Sequence, residues 1–133
     1  MNKDWIERRY IAEHAIETEG PRLWDLLYKA IVQCCRSYQY RYQPSSGRVL
    51  TLDTERGNVI TLTLKKEVAQ TLKISLADSF IVFTQLEEYE QGEALRIKTD
   101  EDGHGYFHCG LYAGNSVDEV TKILLDEFLF PGG

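Results

Sequence analysis

The sequence is poor in the residues that cross-link, anchor or subdivide a protein. Its 133 residues include only three cysteines and three prolines; Cys34 and Cys35 are adjacent, and Cys109 stands alone. An odd cysteine count with this spacing does not build a disulfide framework and favours a reducing compartment. We therefore expect a cytoplasmic protein that folds through its hydrophobic core, since 43% of its residues are hydrophobic.

Signals for targeting and for membrane insertion are also missing. Residues 1–16 are rich in charge and contain no apolar segment of the signal-peptide type. No apolar run approaches the length of about 18 residues that a membrane-spanning helix needs. The net charge of −6 and the pI of about 5.1 argue against nucleic acid and anionic membranes as partners.

Sequence motifs of known catalytic or cofactor sites are absent. The chain has no phosphate-binding loop, no Gly-x-Ser-x-Gly, no His-Glu-x-x-His and no Cys-x-x-Cys. We therefore predict no catalytic residue and no cofactor, and a non-enzymatic role is favoured over an enzymatic one.

The spacing of apolar residues divides the chain into three blocks within a single domain, 1–133. Residues 1–42 are predicted helical, 48–112 form an antiparallel sheet and 116–130 form a C-terminal helix. Within the first block, Gly20-Pro21 predicts a break between a helix over 3–18 and a second helix over 21–40. In the last block, Ser116 and Glu119 are spaced as a capping box.

The middle block predicts a meander of about six strands because short alternating runs are separated by short turns. The predicted strands cover residues 48–53, 59–66, 68–76, 79–86, 93–99 and 104–112. The expected fold is α+β, with two N-terminal helices and one C-terminal helix packed mainly on one face of the sheet.

Side chains alternate along a strand, so parity sorts them into two faces. One face carries the leucines and isoleucines together with Phe107, Cys109 and Leu111, and is expected to form the core. The opposite face is rich in hydroxyl groups and positive charge. Strand 79–86 departs from the pattern because it is apolar on both faces. Its outer side is therefore expected to be covered by the first helix, a second subunit or a ligand.

The polar face supplies the candidate ligand-binding residues, namely Lys73, Arg96, Lys98, Tyr106, His108 and Tyr112. The cations can bind an anion, and the aromatic residues can stack or donate hydrogen bonds. The competing interpretation is that threonine, lysine and arginine are ordinary residues of a solvated strand face, chosen for β-propensity.

Possible metal sites are weak. On one strand His104 and His108 stand about 13 Å apart, too far to share an ion. The run Asp100-Glu101-Asp102-Gly103 lacks the spacing of an EF-hand and is better explained as a hairpin tip. No metal site is predicted.

Three functions are compatible with these residues. The first is a non-catalytic interaction module that self-associates or binds a protein partner through the polar face. The second is a small-ligand-binding or enzymatic domain with a pocket lined by Arg96, Tyr106, His108 and Tyr112. The third is an acidic inhibitor or immunity-type protein that uses Glu87, Glu88, Glu90, Asp100, Glu101 and Asp102 against a basic partner.

Overall fold

A computed structural model of the chain describes residues 4–77, 80–85, 95–109 and 112–130. The elements follow in the order α1 (Trp5–Arg41), a 3₁₀ turn (Pro44–Ser46), β1 (Val49–Arg56), β2 (Val59–Lys65), β3 (Ala69–Ala77), β4 (Phe80–Gln85), β5 (Leu95–Thr99), β6 (Gly105–Cys109), β7 (Tyr112–Asn115) and α2 (Val117–Leu129). The α+β class and the antiparallel meander are confirmed, since every strand pairs antiparallel with its sequence neighbours.

The prediction of two N-terminal helices is wrong. A single helix of 37 residues, α1, runs through Gly20 and Pro21. Proline removes one backbone hydrogen bond, and its ring crowds the side chain of the residue before it. Gly20 has no side chain to be crowded, and Pro21 lies on the exposed side of the helix. Tertiary contacts on both sides of Pro21 then hold the helix together, with Ala12 and Ala15 against the β5–β6 hairpin and Leu23 and Trp24 in the core.

The last predicted strand, 104–112, is two strands. β6 and β7 form an antiparallel pair in which Cys109 is opposite Tyr112, so the chain reverses direction between these residues. The meander therefore has seven strands in the described ranges, in the order β1 to β7.

The parity prediction is confirmed for the described strands. Ile60 and Leu62 of β2 are buried, as are the β3 residues with which they pair, Ile74 and Leu72. The same face includes Ile81, Leu95, Ile97 and Phe107 further along the sheet. Cys109 and Leu111 were also assigned to the core, but the side chain of Cys109 and the whole of residue 111 lie outside the described part of the structure.

Both helices pack on this core face. α1 contacts β1, β5 and β6, and α2 packs beside α1. Side chains of α1 also donate hydrogen bonds to carbonyl oxygens along β1 and its turn: Gln39 Nε2 to Leu50 (2.8 Å) and Trp24 Nε1 to Gly57 (2.7 Å). The sequence had left open that the first helix covers the polar face. The structure places α1 on the other side.

Both helices begin at capping residues that the sequence supplies locally. The Asp4 carboxylate accepts a hydrogen bond from the Glu7 backbone N–H at 2.7 Å. The Ser116 hydroxyl accepts one from the Glu119 N–H at 3.2 Å, and the Glu119 carboxylate accepts one from the Ser116 N–H at 3.4 Å. The predicted capping box is therefore present, and it fixes where α2 starts. No helix in the described ranges combines the length and the apolar character needed to cross a membrane.

Candidate functional site

The candidate site is the face of the sheet that points away from both helices, which we call the outward face. Four of the six predicted site residues meet on β5 and β6, where Arg96 pairs with His108 and Lys98 pairs with Tyr106. Residues paired in this way share a face, with Cβ atoms about 5 Å apart. The strand register therefore brings two cations, an imidazole and a phenol into one patch.

Lys73 lies on the same face but not in that patch. It pairs with Thr61 on β2 and with Thr84 on β4. Ala77, four residues after Lys73 on β3, pairs with Phe80 on β4, and Phe80 pairs with Arg96 on β5. Lys73 is therefore two strands and four residues away from Arg96. With the usual strand spacing and rise, this is a distance of about 16 Å across the sheet. A single small anion cannot contact both side chains.

Tyr112 was placed beside Tyr106 and His108 by counting along one unbroken strand. The chain instead reverses after Cys109, and Tyr112 pairs with Cys109. Counting along β6 therefore does not place the side chain of Tyr112 on the same face as Tyr106 and His108. The side chain of Tyr112 lies outside the described part of the structure.

Lys65 belongs with the predicted cations: alternation places it on the polar face, although it is not among the six candidate residues. Lys65, at the end of β2, is exposed and pairs with Val49 and Ala69 on either side. Its partner Ala69 lies four residues before Lys73 on β3. Lys65 is therefore about 14 Å from Lys73. Lys65, Lys73, Arg96 and Lys98 thus follow a diagonal line across the outward face, which we call the basic track. The alternation of β2 gave the signal, because Lys65 has the same parity as Thr61 and Thr63.

Most of the other described side chains on the outward face are polar, and the described part of this face is open to solvent. Thr51, Thr63 and Thr71 form a row across three strands. Asp53 is the acid on this face among the side chains described, against the four cations of the basic track. Val82 of β4 is 38% exposed, so the expected cover over the outer side of this strand is not supplied by the described parts of the chain itself.

Two grooves on the described surface lie away from these residues. One, of about 690 Å³, is lined by the 3₁₀ turn and the β2–β3 turn, including Arg48, Lys66 and Val68. The other runs along α1 between Tyr28 and Arg36. Both are open to solvent, and neither is lined by any of the six predicted site residues.

The hairpin between β5 and β6 brings Asp100, Asp102 and His104 together, with ligand atoms within 4.8 Å of one another. The sequence had treated the aspartates and the histidine separately. Asp100 Oδ1 accepts hydrogen bonds from the backbone N–H groups of His104 (2.8 Å) and Asp102 (3.0 Å). These bonds, that of His104 first, hold the pKa of Asp100 below its usual value. The carboxylate therefore already shapes the turn, and all three side chains are exposed.

The acids invoked for an inhibitor-type role fall in two places. Glu87, Glu88 and Glu90 lie outside the described residues. At the described hairpin tip, Glu101 stands 3.8 Å from Arg8 of α1, and Asp100 is hydrogen-bonded within the turn as above. Part of this acidic surface thus has partners inside the molecule.

The adjacent cysteines of α1 occupy buried or half-buried positions, as small apolar residues do. Cys35 is fully buried in the core and Cys34 is half-buried. Burial raises the pKa of Cys35 to about 12 and also raises the pKa of Cys34. Neither thiol is poised to ionise near neutral pH, as a nucleophile or metal ligand requires.

A scan against protein-family models and searches of curated proteins and of solved structures found no match to this chain.

Proposed function

We propose that this protein is a non-catalytic binding module that holds an elongated acidic protein segment against the outward face of its sheet. The observation that carries the proposal is the basic track, Lys65, Lys73, Arg96 and Lys98, on a face that neither helix covers. The track extends diagonally for roughly 35 Å. An extended partner can follow this line, whereas a compact ligand reaches only one part of it.

The charge of the outward face supports an acidic partner. The chain as a whole carries a net charge of −6, yet this face has four cations and one acid among its described side chains. Lys65 and Lys73 are exposed, Lys98 is half-buried, and none of the three lysines forms an ion pair within the described ranges. Cations held in this arrangement attract a negatively charged partner and fix its orientation.

Self-association through the same face is disfavoured. Two outward faces brought together would place one basic track against another, and like charges in an interface cost several kcal/mol. The exposed Val82 and the threonine row give an approaching partner a surface to contact. These features fit a partner of opposite charge better than a second copy.

A small-ligand site remains the second candidate. The observation that favours it is the pairing of Arg96 with His108 and of Lys98 with Tyr106. This patch offers charge and hydrogen-bond donors to a single anion. It would work without Lys65 and Lys73, which makes the two candidates separable by experiment.

The test is binding of poly-L-glutamate of about 30 residues, followed by fluorescence anisotropy and NMR chemical-shift mapping. The triple variant Lys65→Glu/Lys73→Glu/Lys98→Glu should weaken binding at least tenfold. The matched control is Lys122→Glu, which reverses one exposed charge on α2. Binding of the unmodified protein should also weaken with added salt, because the contacts are ionic.

Equal losses in the triple variant and the control, or no binding by the unmodified protein, would contradict the proposal. The second candidate is tested with inorganic phosphate as the probe. Phosphate binding that is lost in Arg96→Ala but kept in Lys65→Glu/Lys73→Glu would favour a small-anion site over an elongated partner.

A further inference from the structure

The first turns of α1 extend beyond the strands that the structure describes. The helix has 37 residues and is therefore about 55 Å long, while the longest strand has nine residues and spans about 30 Å. Its first described contact with the β5–β6 hairpin is the Arg8–Glu101 pair at 3.8 Å. Ile11 and Ala15 follow, at 3.8 Å and 3.5 Å from the position of a Cβ added at Gly103, and the Ala12 carbonyl accepts a hydrogen bond from the Thr99 hydroxyl. Residues 4–10 are all exposed.

Large apolar side chains occupy this projecting segment. Trp5 is 73% exposed, Ile6 61% and Tyr10 60%. Trp5 and Ile6 precede the buried Leu23 and Trp24 by eighteen residues, which is about five full turns of an α-helix. They therefore continue, beyond the sheet, the stripe of α1 that faces the core.

The same stripe carries one arginine in the projecting segment and one glutamate just after it. Arg9 and Glu13 stand about five turns before the fully buried Leu27 and Ile31, so they too are in phase with the core-facing side. Neither forms an ion pair within the described ranges. The exposed continuation of the stripe is thus apolar at its N-terminal end and has one unpaired charge of each sign in its middle.

This pattern is complementary to itself when two helices run antiparallel. A two-fold axis at residue 11 sets Ile6 level with the half-buried Ile16 of the other copy, and Arg9 level with the other copy's Glu13. The ionic contact then occurs twice, as a symmetric dimer requires. A parallel pairing would instead place Arg9 against Arg9 and Glu13 against Glu13.

We propose that two copies of this chain associate through the N-terminal turns of α1, packed antiparallel with Arg9 of each helix opposite Glu13 of the other. The contact is independent of the basic track, so the outward face stays available in the dimer. Trp5 and Ile6 supply most of the apolar area, since an aromatic side chain alone buries about 150–250 Å² when fully covered. An interface built on one helical stripe is small, and we expect dissociation constants in the micromolar range.

The test is sedimentation equilibrium at protein concentrations from about 1 to 200 µM. The unmodified protein should change from monomer to dimer over this range, and Trp5→Ala should remain largely monomeric. Arg9→Glu places two acids opposite each other at both contacts and should weaken association at least tenfold. The double variant Arg9→Glu/Glu13→Arg restores opposite charges in the antiparallel register and should return the affinity to within about threefold.

Arg36→Glu is the matched control, because Arg36 is an exposed arginine on the opposite side of the same helix. It should leave the association unchanged. A chain that stays monomeric at all concentrations overturns the proposal. So does a dimer that is insensitive to Arg9→Glu, or one weakened by Arg9→Glu that the double variant fails to restore. Binding of poly-L-glutamate is measured separately, so a negative result here leaves the proposed function untouched.

Discussion

At the residue scale, the two neighbouring cysteines show how position decides chemistry. Cys34 and Cys35 differ by about 100° around α1, so one is half-buried and the other is fully buried. The buried thiol keeps its proton because the folded environment excludes the water that would stabilise a thiolate. It packs as a small apolar side chain, which agrees with the sequence-based interpretation.

This raised pKa predicts a loss of stability at high pH. Below about pH 9, the ordinary pKa of a cysteine, both the folded and the unfolded chain hold the Cys35 proton and the stability is unaffected. As the pH rises from 9 toward the folded-state pKa of about 12, only the unfolded chain releases the proton, so unfolding becomes more favourable. Urea unfolding under reducing conditions at pH 7, 9 and 10.5 measures this loss.

The variant Cys35→Ala isolates the effect from other groups that titrate at high pH. It should be less stable at pH 7 by about 1–2 kcal/mol because it loses buried atoms. Between pH 9 and 10.5 its free energy of unfolding should fall less than that of the unmodified protein. Cys34→Ala is the control and should change the slope less. Parallel pH profiles for all three proteins would contradict the assignment of Cys35 as a buried neutral thiol.

At the element scale, α1 shows that a local break signal can be overridden. Proline inside a helix costs about 3 kcal/mol relative to alanine. The contacts of α1 with the β5–β6 hairpin and with the core lie on both sides of Pro21 and outweigh that cost. Gly20 contributes by leaving room before the proline ring.

Replacing the proline should therefore stabilise the protein. Pro21→Ala should raise the free energy of unfolding by about 1–3 kcal/mol, because it restores the backbone donor and relieves the ring contact. Gly20→Ala alone should gain little stability. The added Cβ meets no atom within 4 Å apart from its chain neighbours, but the ring of Pro21 crowds it. In the Pro21→Ala background the same change should add about 0.5–1 kcal/mol. Urea denaturation of the four proteins measures this coupling.

Thr18→Ala, at an exposed site one turn earlier, is the control for a general gain in helix propensity. If Pro21→Ala lowered the stability, a turn at Gly20-Pro21, as the sequence suggested, would describe the chain better than a continuous helix.

At the scale of the whole molecule, the packing distance between α1 and the sheet depends on one glycine. A Cβ added at Gly105 of β6 would lie 2.9 Å from Glu19 Cβ and 2.9 Å from Leu23 Cδ1. Glu19 is itself held by Arg22, which stands 2.5 Å from its carboxylate. The helix therefore approaches β6 closely only because this position has no side chain.

Gly105→Ala should consequently destabilise the protein by about 1–3 kcal/mol, the usual cost of overpacking. Gly57→Ala is a matched control in the β1–β2 turn, because a Cβ there meets no neighbour within 4 Å and the backbone φ is not positive. It should change stability by less than about 0.5 kcal/mol. Thermal unfolding of the two variants separates the outcomes, and equal effects would argue against close α1–β6 packing.

The strands show how much of the candidate site the sequence could predict. Alternation placed Lys73, Arg96, Lys98, Tyr106 and His108 on one face, and the register agrees. It did not show that Lys73 lies far from the other four residues. Alternation within a strand does not determine the register between strands, which sets these distances. The alternation argument does not extend to Tyr112, because the chain reverses after Cys109 and Tyr112 pairs with Cys109.

What the sequence determined by itself is local and periodic. The alternation of leucine with threonine separates the two faces of β2, and Ser116 with Glu119 fixes the start of α2. Such features depend on residues a few positions apart, whose geometry is set by the backbone.

Only the tertiary structure decided which face α1 covers, whether that helix survives Pro21, and how four cations from three strands align into the basic track. These outcomes depend on contacts between residues far apart in the chain. Their energies are summed over the whole core, so no short stretch of sequence contains them.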